Sequence, residues 1–205
     1  MTLQITHFQR ITGLATDYCT SNDRFGIKYY IYHLNHDIPQ YMYWGFLISF
    51  CVAVVLLLLW KGIKMGRDLS KLLLVEYLSF MSLMTIVYRK ECSERKYDFT
   101  PFWSYNEIMD GKEWLLVENI MNLVVFMPIG LLLGCSFRTM NWKLVLAIGC
   151  VLSVGIELFQ FILKRGFTEF DDVMHNTLGC MIGYGIFSLI RYGYEQIHKR
   201  RMAVL

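Results

Sequence analysis

Long apolar runs alternate with short polar connections along this chain, and these runs predict its secondary structure. About 20 residues of α-helix cross the hydrocarbon core of a bilayer, and five windows are long and apolar enough to do so. They cover roughly residues 42–60, 70–88, 115–134, 144–163 and 172–190. The pattern therefore predicts an all-α fold, a polytopic membrane helix bundle of about five transmembrane helices.

The same pattern divides the chain into four segments. Residues 1–40 form a polar and aromatic amino-terminal segment, residues 41–88 hold two helices, residues 89–190 hold three more, and residues 191–205 form a basic tail. The loop between the second and third helices contains ERKYDFTPFWSY, from Glu94 to Tyr105. Its aromatic side chains favour an interfacial segment that covers the polar helix ends, and an unstructured loop is the alternative.

Composition supports a membrane protein. The chain is 55% hydrophobic and 18% charged, with a mean hydropathy of +0.38, which is too apolar for an average soluble domain. The net charge is only +3, and the basic residues lie in short clusters between apolar runs. Nucleic-acid binding is therefore disfavoured, and the lipid bilayer is the predicted partner.

Basic residues in the connections predict the orientation. The connection after the first helix contains Lys61, Lys64, Arg67 and Lys71, and the tail contains Arg191, Lys199, Arg200 and Arg201. Under the positive-inside rule both face the cytoplasm, so the amino terminus lies outside and the carboxyl terminus inside. The loop of residues 89–113 counts against this orientation, because it carries five basic residues beside six acids.

Polar side chains of the predicted helices lie at one end of the bundle, because alternate helix ends emerge on the same side of the membrane. They are Arg89 after the second helix; Glu118, Asn119 and Asn122 in the third; Glu157 and Gln160 in the fourth; and Asp172 and Asn176 in the fifth. A charge at bilayer depth costs about 3 kcal/mol on insertion scales. Glu157 should therefore face the bundle, be protonated, or pair with a base.

Helical periodicity predicts which faces of the fourth and fifth helices meet. At 100° per residue, two stripes form: Ser153, Glu157, Gln160 and Lys164 on the fourth helix, and Asp172, Asn176, Gly179 and Gly183 on the fifth. The short polar turn between these helices makes them antiparallel, so we expect the stripes to face each other and Glu157 to neighbour Asn176. The spacing of Gly179 and Gly183 allows close helix approach.

The third helix contains Pro128, followed by Gly130. A proline removes one helical hydrogen bond and frees the carbonyl near Val124. Two interpretations remain open: a kink tolerated by helix packing, and a kink that opens a polar cavity.

Outside the predicted helices, candidate chemistry is sparse. His33, His36 and Asp37 resemble part of a metal site but lack further ligands in defined positions, so a solvated loop is the interpretation and no metal is predicted. Cys19 and Cys92 fall on one side of the membrane in this topology. A disulfide between them is open.

Three blocks of polar and small residues occur in order through the last three helices. They are Glu118, Asn119, Asn122, Phe126, Pro128 and Gly130; Ser153, Ile156, Glu157 and Gln160; and Glu169, Asp171, Asp172, Asn176, Gly179 and Gly183. In spacing they resemble E-N-x-x-N-x-x-x-F-x-P-x-G, S-x-x-I-E-x-x-Q and the acidic turn with its following helix in the VanZ-like family of small bacterial membrane proteins.

A weaker fourth block consists of Arg95, Asp98, Phe99, Pro101 and Phe102. It is similar to Arg-x-x-Asn-Leu-x-Pro-Phe of the same family, with Asp98 in place of an asparagine, so a ligand contact at that position would differ here. The resemblance runs from Arg95 to Tyr184. It implies a multi-pass protein of the bacterial cytoplasmic membrane, in a family with one member linked to tolerance of glycopeptide antibiotics, especially teicoplanin.

Three functions fit these residues. In the first, the protein binds or modifies a lipid-linked or peptidoglycan-related component, and Arg95 and Arg165 are available for its phosphate or carboxylate groups. In the second, it is a membrane-embedded enzyme that uses Glu157 as acid or base. In the third, its polar residues only fix helix packing. The candidate binding residues are Arg95, Glu118, Asn119, Asn122, Gln160, Arg165, Asp171, Asp172 and Asn176. No cofactor and no oligomeric state are predicted.

Overall fold

A computed structural model describes residues 63–87, 89 and 92–203 of the chain, together with helical residues 45, 48 and 52. Most of the first predicted helix, residues 42–60, lies outside the described residues, as do residues 1–40. The architecture below concerns the described part alone.

Four long helices, one short helix and two short strands form this part of the chain. In order they are α1 (Ile63–Ser82), which continues as a π-helical turn (Leu83–Val87), β1 (Lys96–Asp98), α2 (Trp103–Met109), α3 (Trp114–Ser136), α4 (Trp142–Leu163), β2 (Phe167–Glu169) and α5 (Phe170–Ala203). Four stretches are long and apolar enough to cross a membrane: Gly66–Val87, Leu115–Ser136, Trp142–Leu163 and Phe170–Arg200. The predicted all-α membrane bundle is confirmed. These stretches correspond to the second to fifth predicted helices.

Helices α3 and α5 pack most closely, because glycines on each face the backbone of the other. A β-carbon on Gly179 would collide with the carbonyl of Leu123, one on Gly183 with the carbonyl of Met127, and one on Gly130 with α5. The sequence placed the glycine stripe of α5 against α4. It lies against α3 instead, where contact between the two backbones requires residues without a side chain, while Asn176 of the same helix contacts α4.

The core lies between α1, α3, α4 and α5. Its buried apolar side chains include Leu73, Met81, Phe126, Ile129, Leu133, Val145 and Cys180. The α-helix α3 continues across Pro128, and the hydroxyl of Tyr77 on α1 donates to the carbonyl of Val125 at 2.7 Å. This carbonyl is next to the one that Pro128 leaves without its helical partner, so α1 contacts α3 within one turn of the proline.

A small parallel sheet, absent from the prediction, holds the loop before α3 onto the bundle. Strand β1 pairs with β2 from Lys96 opposite Phe167 to Asp98 opposite Glu169. Just before it, the Cys92 N–H donates to the carbonyl of Lys164 at 2.7 Å. Each strand has three residues, which is too short for an alternating pattern to be visible in the sequence.

Cys92 is buried and disulfide-bonded. Cys19, the partner considered from the sequence, lies outside the described residues.

Candidate functional site

Four acidic side chains are buried together where α3, α4, β2 and α5 meet. These residues, called the acid cluster below, are Glu118, Glu157, Glu169 and Asp172, and each is between 2% and 8% exposed. Glu118, Glu157 and Glu169 all lie within electrostatic range of Asp172. The prediction from helix parity that these acids share one end of the bundle therefore agrees with their positions.

Backbone and amide donors hold two members of the acid cluster. The Glu169 N–H donates to Oε2 of Glu157 at 3.1 Å, so β2 is tied to the last turns of α4. The side-chain amide of Asn122 donates to Oδ1 of Asp172 at 2.6 Å, which joins α3 to the start of α5. Hydrogen bonds to carboxylates are among the stronger ones in proteins, so these two fix the cluster in place.

Arg89 brings a positive charge to the cluster. It follows the π-helical turn after one intervening residue, and its guanidinium group lies against Gly166, between α4 and β2. It is within electrostatic range of Glu157 and Asp172. The sequence placed Arg89 at this end of the bundle without giving it a role.

Asp171 has a different partner from its neighbour Asp172. Its carboxylate accepts hydrogen bonds from the Phe102 N–H at 2.7 Å, the Ser104 N–H at 3.0 Å and the Ser104 hydroxyl at 2.6 Å. Asn119 donates to the same hydroxyl at 3.2 Å. Asp171 and Asn119, both predicted to bind a ligand, therefore hold the first turn of α2, whose free N–H groups need acceptors.

Two more predicted binding residues, Gln160 and Arg165, hold the π-helical turn. The Gln160 amide donates to the Thr85 carbonyl at 3.1 Å. Arg165 Nη1 donates to the carbonyls of Ile86 and Val87 at 2.8 and 2.6 Å. Carbonyls at a helix end need donors from elsewhere. The other amide atom of Gln160, Oε1, is buried without a hydrogen-bond partner among the described residues.

Asn176 contacts α4 one turn before the position predicted from helical phase. Its amide donates to the hydroxyl of Ser153 at 2.9 Å, and Ser153 precedes Glu157 by four residues on the same face. The polar stripes of α4 and α5 therefore meet, and the contact between them lies at Ser153.

The weak fourth block lies at the surface. Arg95 is exposed, with its guanidinium carbon 5.5 Å from the ring centre of Phe161. Asp98, at the position where the family has an asparagine, accepts from the Thr100 N–H at 2.8 Å, which is a local turn contact. The structure thus separates Arg95 from the buried cluster.

Sequence reasoning missed His175. It is 2% exposed, and its Nε2 lies 2.8 Å from the hydroxyl of Tyr105 on α2. Its position four residues after Asp171, on the same face of α5, was the available signal, because Asp171 and His175 together contact α2.

A metal centre finds no support in the described part of the chain. No group of three or more His, Cys, Asp or Glu side chains there is placed to hold a metal ion. His33, His36 and Asp37 lie outside it.

Comparison with known proteins establishes the family. The VanZ/LLP1 family profile matches residues 69–191. Protein VanZ of Enterococcus faecium is 31% identical over 134 residues, which cover 61% of this chain and 77% of that protein. The chain belongs to the VanZ/LLP1 family. The match begins within α1 and includes Arg89 and the whole acid cluster, and no solved structure matches the chain.

Proposed function

We propose that this VanZ/LLP1 protein binds a lipid-linked or peptidoglycan-related component of the cell envelope through the acid cluster, and thereby affects susceptibility to glycopeptide antibiotics. The carrying observation is the burial of Glu118, Glu157, Glu169 and Asp172 together at one end of apolar helices. Glu118, Glu157 and Asp172 lie within stretches that are long and apolar enough to cross a membrane, where acids are costly and usually mark function.

The acceptor atoms of the acid cluster support a ligand that donates hydrogen bonds. Arg89 lies within electrostatic range of Glu157 and Asp172, and Glu118 and Glu169 lie within range of Asp172. A carboxyl group offers several acceptor sites, so hydroxyl, amide or ammonium donors of a sugar-peptide precursor suit such a cluster. Oε1 of Gln160 offers one more buried acceptor.

The segment that covers the cluster supports a ligand arriving from the membrane surface. Tyr97, Phe99, Phe102 and Tyr105 are each 43% to 58% exposed, and such rings favour the headgroup layer. With the amino terminus outside and the carboxyl terminus inside, as proposed from the positive-inside rule, this end faces the outer side of a bacterial cytoplasmic membrane.

Two alternatives use the same residues. The internal bonds of Asn119, Asn122, Asn176 and Gln160 favour a purely structural role for these amides. A membrane-embedded enzyme would use Glu157 as acid or base, since its carboxyl group is buried beside Asp172 and Arg89. Ligand binding accounts most directly for four acids buried at one end of apolar helices.

The test compares Glu157→Gln and Asp172→Asn with Glu195→Gln, which removes an exposed acid from the far end of α5. Each full-length variant is expressed in cells that lack the native gene, and teicoplanin susceptibility and folded yield are measured. We expect the two cluster variants to fold in normal yield and lose tolerance to the level of empty vector, while Glu195→Gln keeps it. Full tolerance in both cluster variants would exclude binding through the cluster and acid-base catalysis by Glu157.

A further inference from the structure

Arg89 is placed by features of three separate segments, of which the first is Gly166. A β-carbon at Gly166 would collide with Nε and Cζ of Arg89, and it would lie 2.8 Å from Nη1. Gly166 also has a φ of +87°, which favours glycine. The turn between α4 and β2 therefore leaves a space that the guanidinium fills.

The second feature is the π-helical turn that precedes Arg89. The carbonyls of Thr85, Ile86 and Val87 accept hydrogen bonds from Gln160 and Arg165, at or just after the end of α4. The backbone leading to Arg89 is thus bound to the same end of α4 that carries Glu157. π-Helical turns occur often at functional sites.

The third feature is β2, which connects Gly166 to the acid cluster. Three residues after Gly166, the Glu169 N–H donates to Glu157. Arg89 consequently lies beside the turn that leads into β2 and the acid cluster. Its charge is within electrostatic range of Glu157 on α4 and Asp172 on α5.

We infer that Arg89 is a positioning residue, whose guanidinium is the counter-charge that keeps Glu157 and Asp172 together inside the bundle. Its importance for envelope binding rests on the proposed function, whereas the charge pairing does not. Gly166 contributes to the same arrangement, because the guanidinium occupies the space that a side chain at this position would take.

A double-mutant cycle tests the pairing. Arg89→Met removes the charge and keeps much of the side-chain length, and Glu157→Gln removes the opposing charge. The unfolding equilibrium of the full-length chain in detergent micelles is measured for both single variants and for the double variant. We expect the double variant to be more stable than the sum of the single losses predicts, by about tenfold in the unfolding equilibrium constant.

Arg165→Met combined with Glu157→Gln is the matched control. Arg165 is an arginine at the same end of the bundle, but its guanidinium donates to backbone carbonyls, so the two losses should add. Arg89→Lys, which keeps the charge, should retain coupling to Glu157. Equal coupling for Arg89 and Arg165, or none for either, would overturn the inference.

Further outcomes keep the test decisive. If Arg89→Met does not fold, recovery of folded protein in the double variant supports the pairing, and no recovery contradicts it.

Gly166→Ala should displace the guanidinium and reduce the coupling between Arg89 and Glu157. If Arg89 and Glu157 are coupled in the unfolding equilibrium but Arg89→Met keeps full teicoplanin tolerance, the charge pairing stands and a role of Arg89 in envelope binding is refuted.

Discussion

Neighbouring acids of this protein have different tasks because a helix turns by about 100° per residue. Asp171 and Asp172 both lie in the first turn of α5, where carboxylates suit the helix dipole. Asp171 accepts three hydrogen bonds from the start of α2, whereas Asp172 faces Asn122 and the acid cluster. An adjacent pair of aspartates thus joins a surface segment to a buried site.

Asp171→Ala should lower the free energy of unfolding by about 3 kcal/mol, because it leaves buried donors of α2 without an acceptor. Asp98→Ala is the control, since the side chain of Asp98, at the end of β1, accepts one exposed hydrogen bond and its loss should cost no more than about 1 kcal/mol. Denaturation in detergent measures both. Equal losses would show that Asp171 does not hold α2 in place.

The elements of the bundle depend on glycines that let α3 and α5 touch at the backbone. Gly130 on α3 and Gly179 and Gly183 on α5 have no room for a β-carbon, since each faces the main chain of the other helix. Backbone atoms cannot move aside as a flexible side chain can. The distance between α3, with Asn122, and α5, with Asp172, is set in this way.

Gly183→Ala should separate α3 from α5 and lower the free energy of unfolding by about 2 kcal/mol. Gly155→Ala provides the comparison, because Gly155 lies inside α4 and a β-carbon added there would meet no neighbouring group within 4 Å. That change should be neutral or raise stability by up to about 1 kcal/mol through helix propensity. Similar destabilisation in both variants would contradict the account of the α3–α5 contact.

The sequence predicted the long helices well and the connections poorly, for physical reasons. Twenty-residue apolar windows report membrane spans directly, and parity of the helix ends was enough to gather Glu118, Glu157 and Asp172. The three-residue strands, the π-helical turn and the bonds from Asp171 to α2 depend on contacts between residues far apart in the chain. No local periodicity encodes such contacts, so the hydrogen bonds that Asp171, Gln160 and Arg165 make within the fold could not be predicted from the sequence.

At the scale of the whole molecule, the segment between α1 and α3 is bound over one end of a membrane bundle. β1 pairs with β2, Asp171 holds α2, and Trp103 packs edge-on against Phe167 with ring centres 5.7 Å apart. The acid cluster therefore lies beneath a covered end. Which side of the membrane that end faces decides which envelope components can reach it.

The orientation is tested by single cysteines introduced at exposed loop positions. Asp110→Cys lies after α2, and Thr139→Cys lies between α3 and α4. An impermeant thiol reagent applied to intact cells should label Asp110→Cys and spare Thr139→Cys, with the parent chain as the background control. The opposite pattern would place the carboxyl terminus outside.

The most direct test of the central claim is binding of a lipid-linked peptidoglycan precursor to the purified full-length protein, measured by native mass spectrometry. The parent chain and Glu195→Gln should carry the precursor, and the double variant Glu157→Gln, Asp172→Asn should lose it while remaining folded. Equal precursor occupancy in all three proteins would show that the acid cluster is not the binding site.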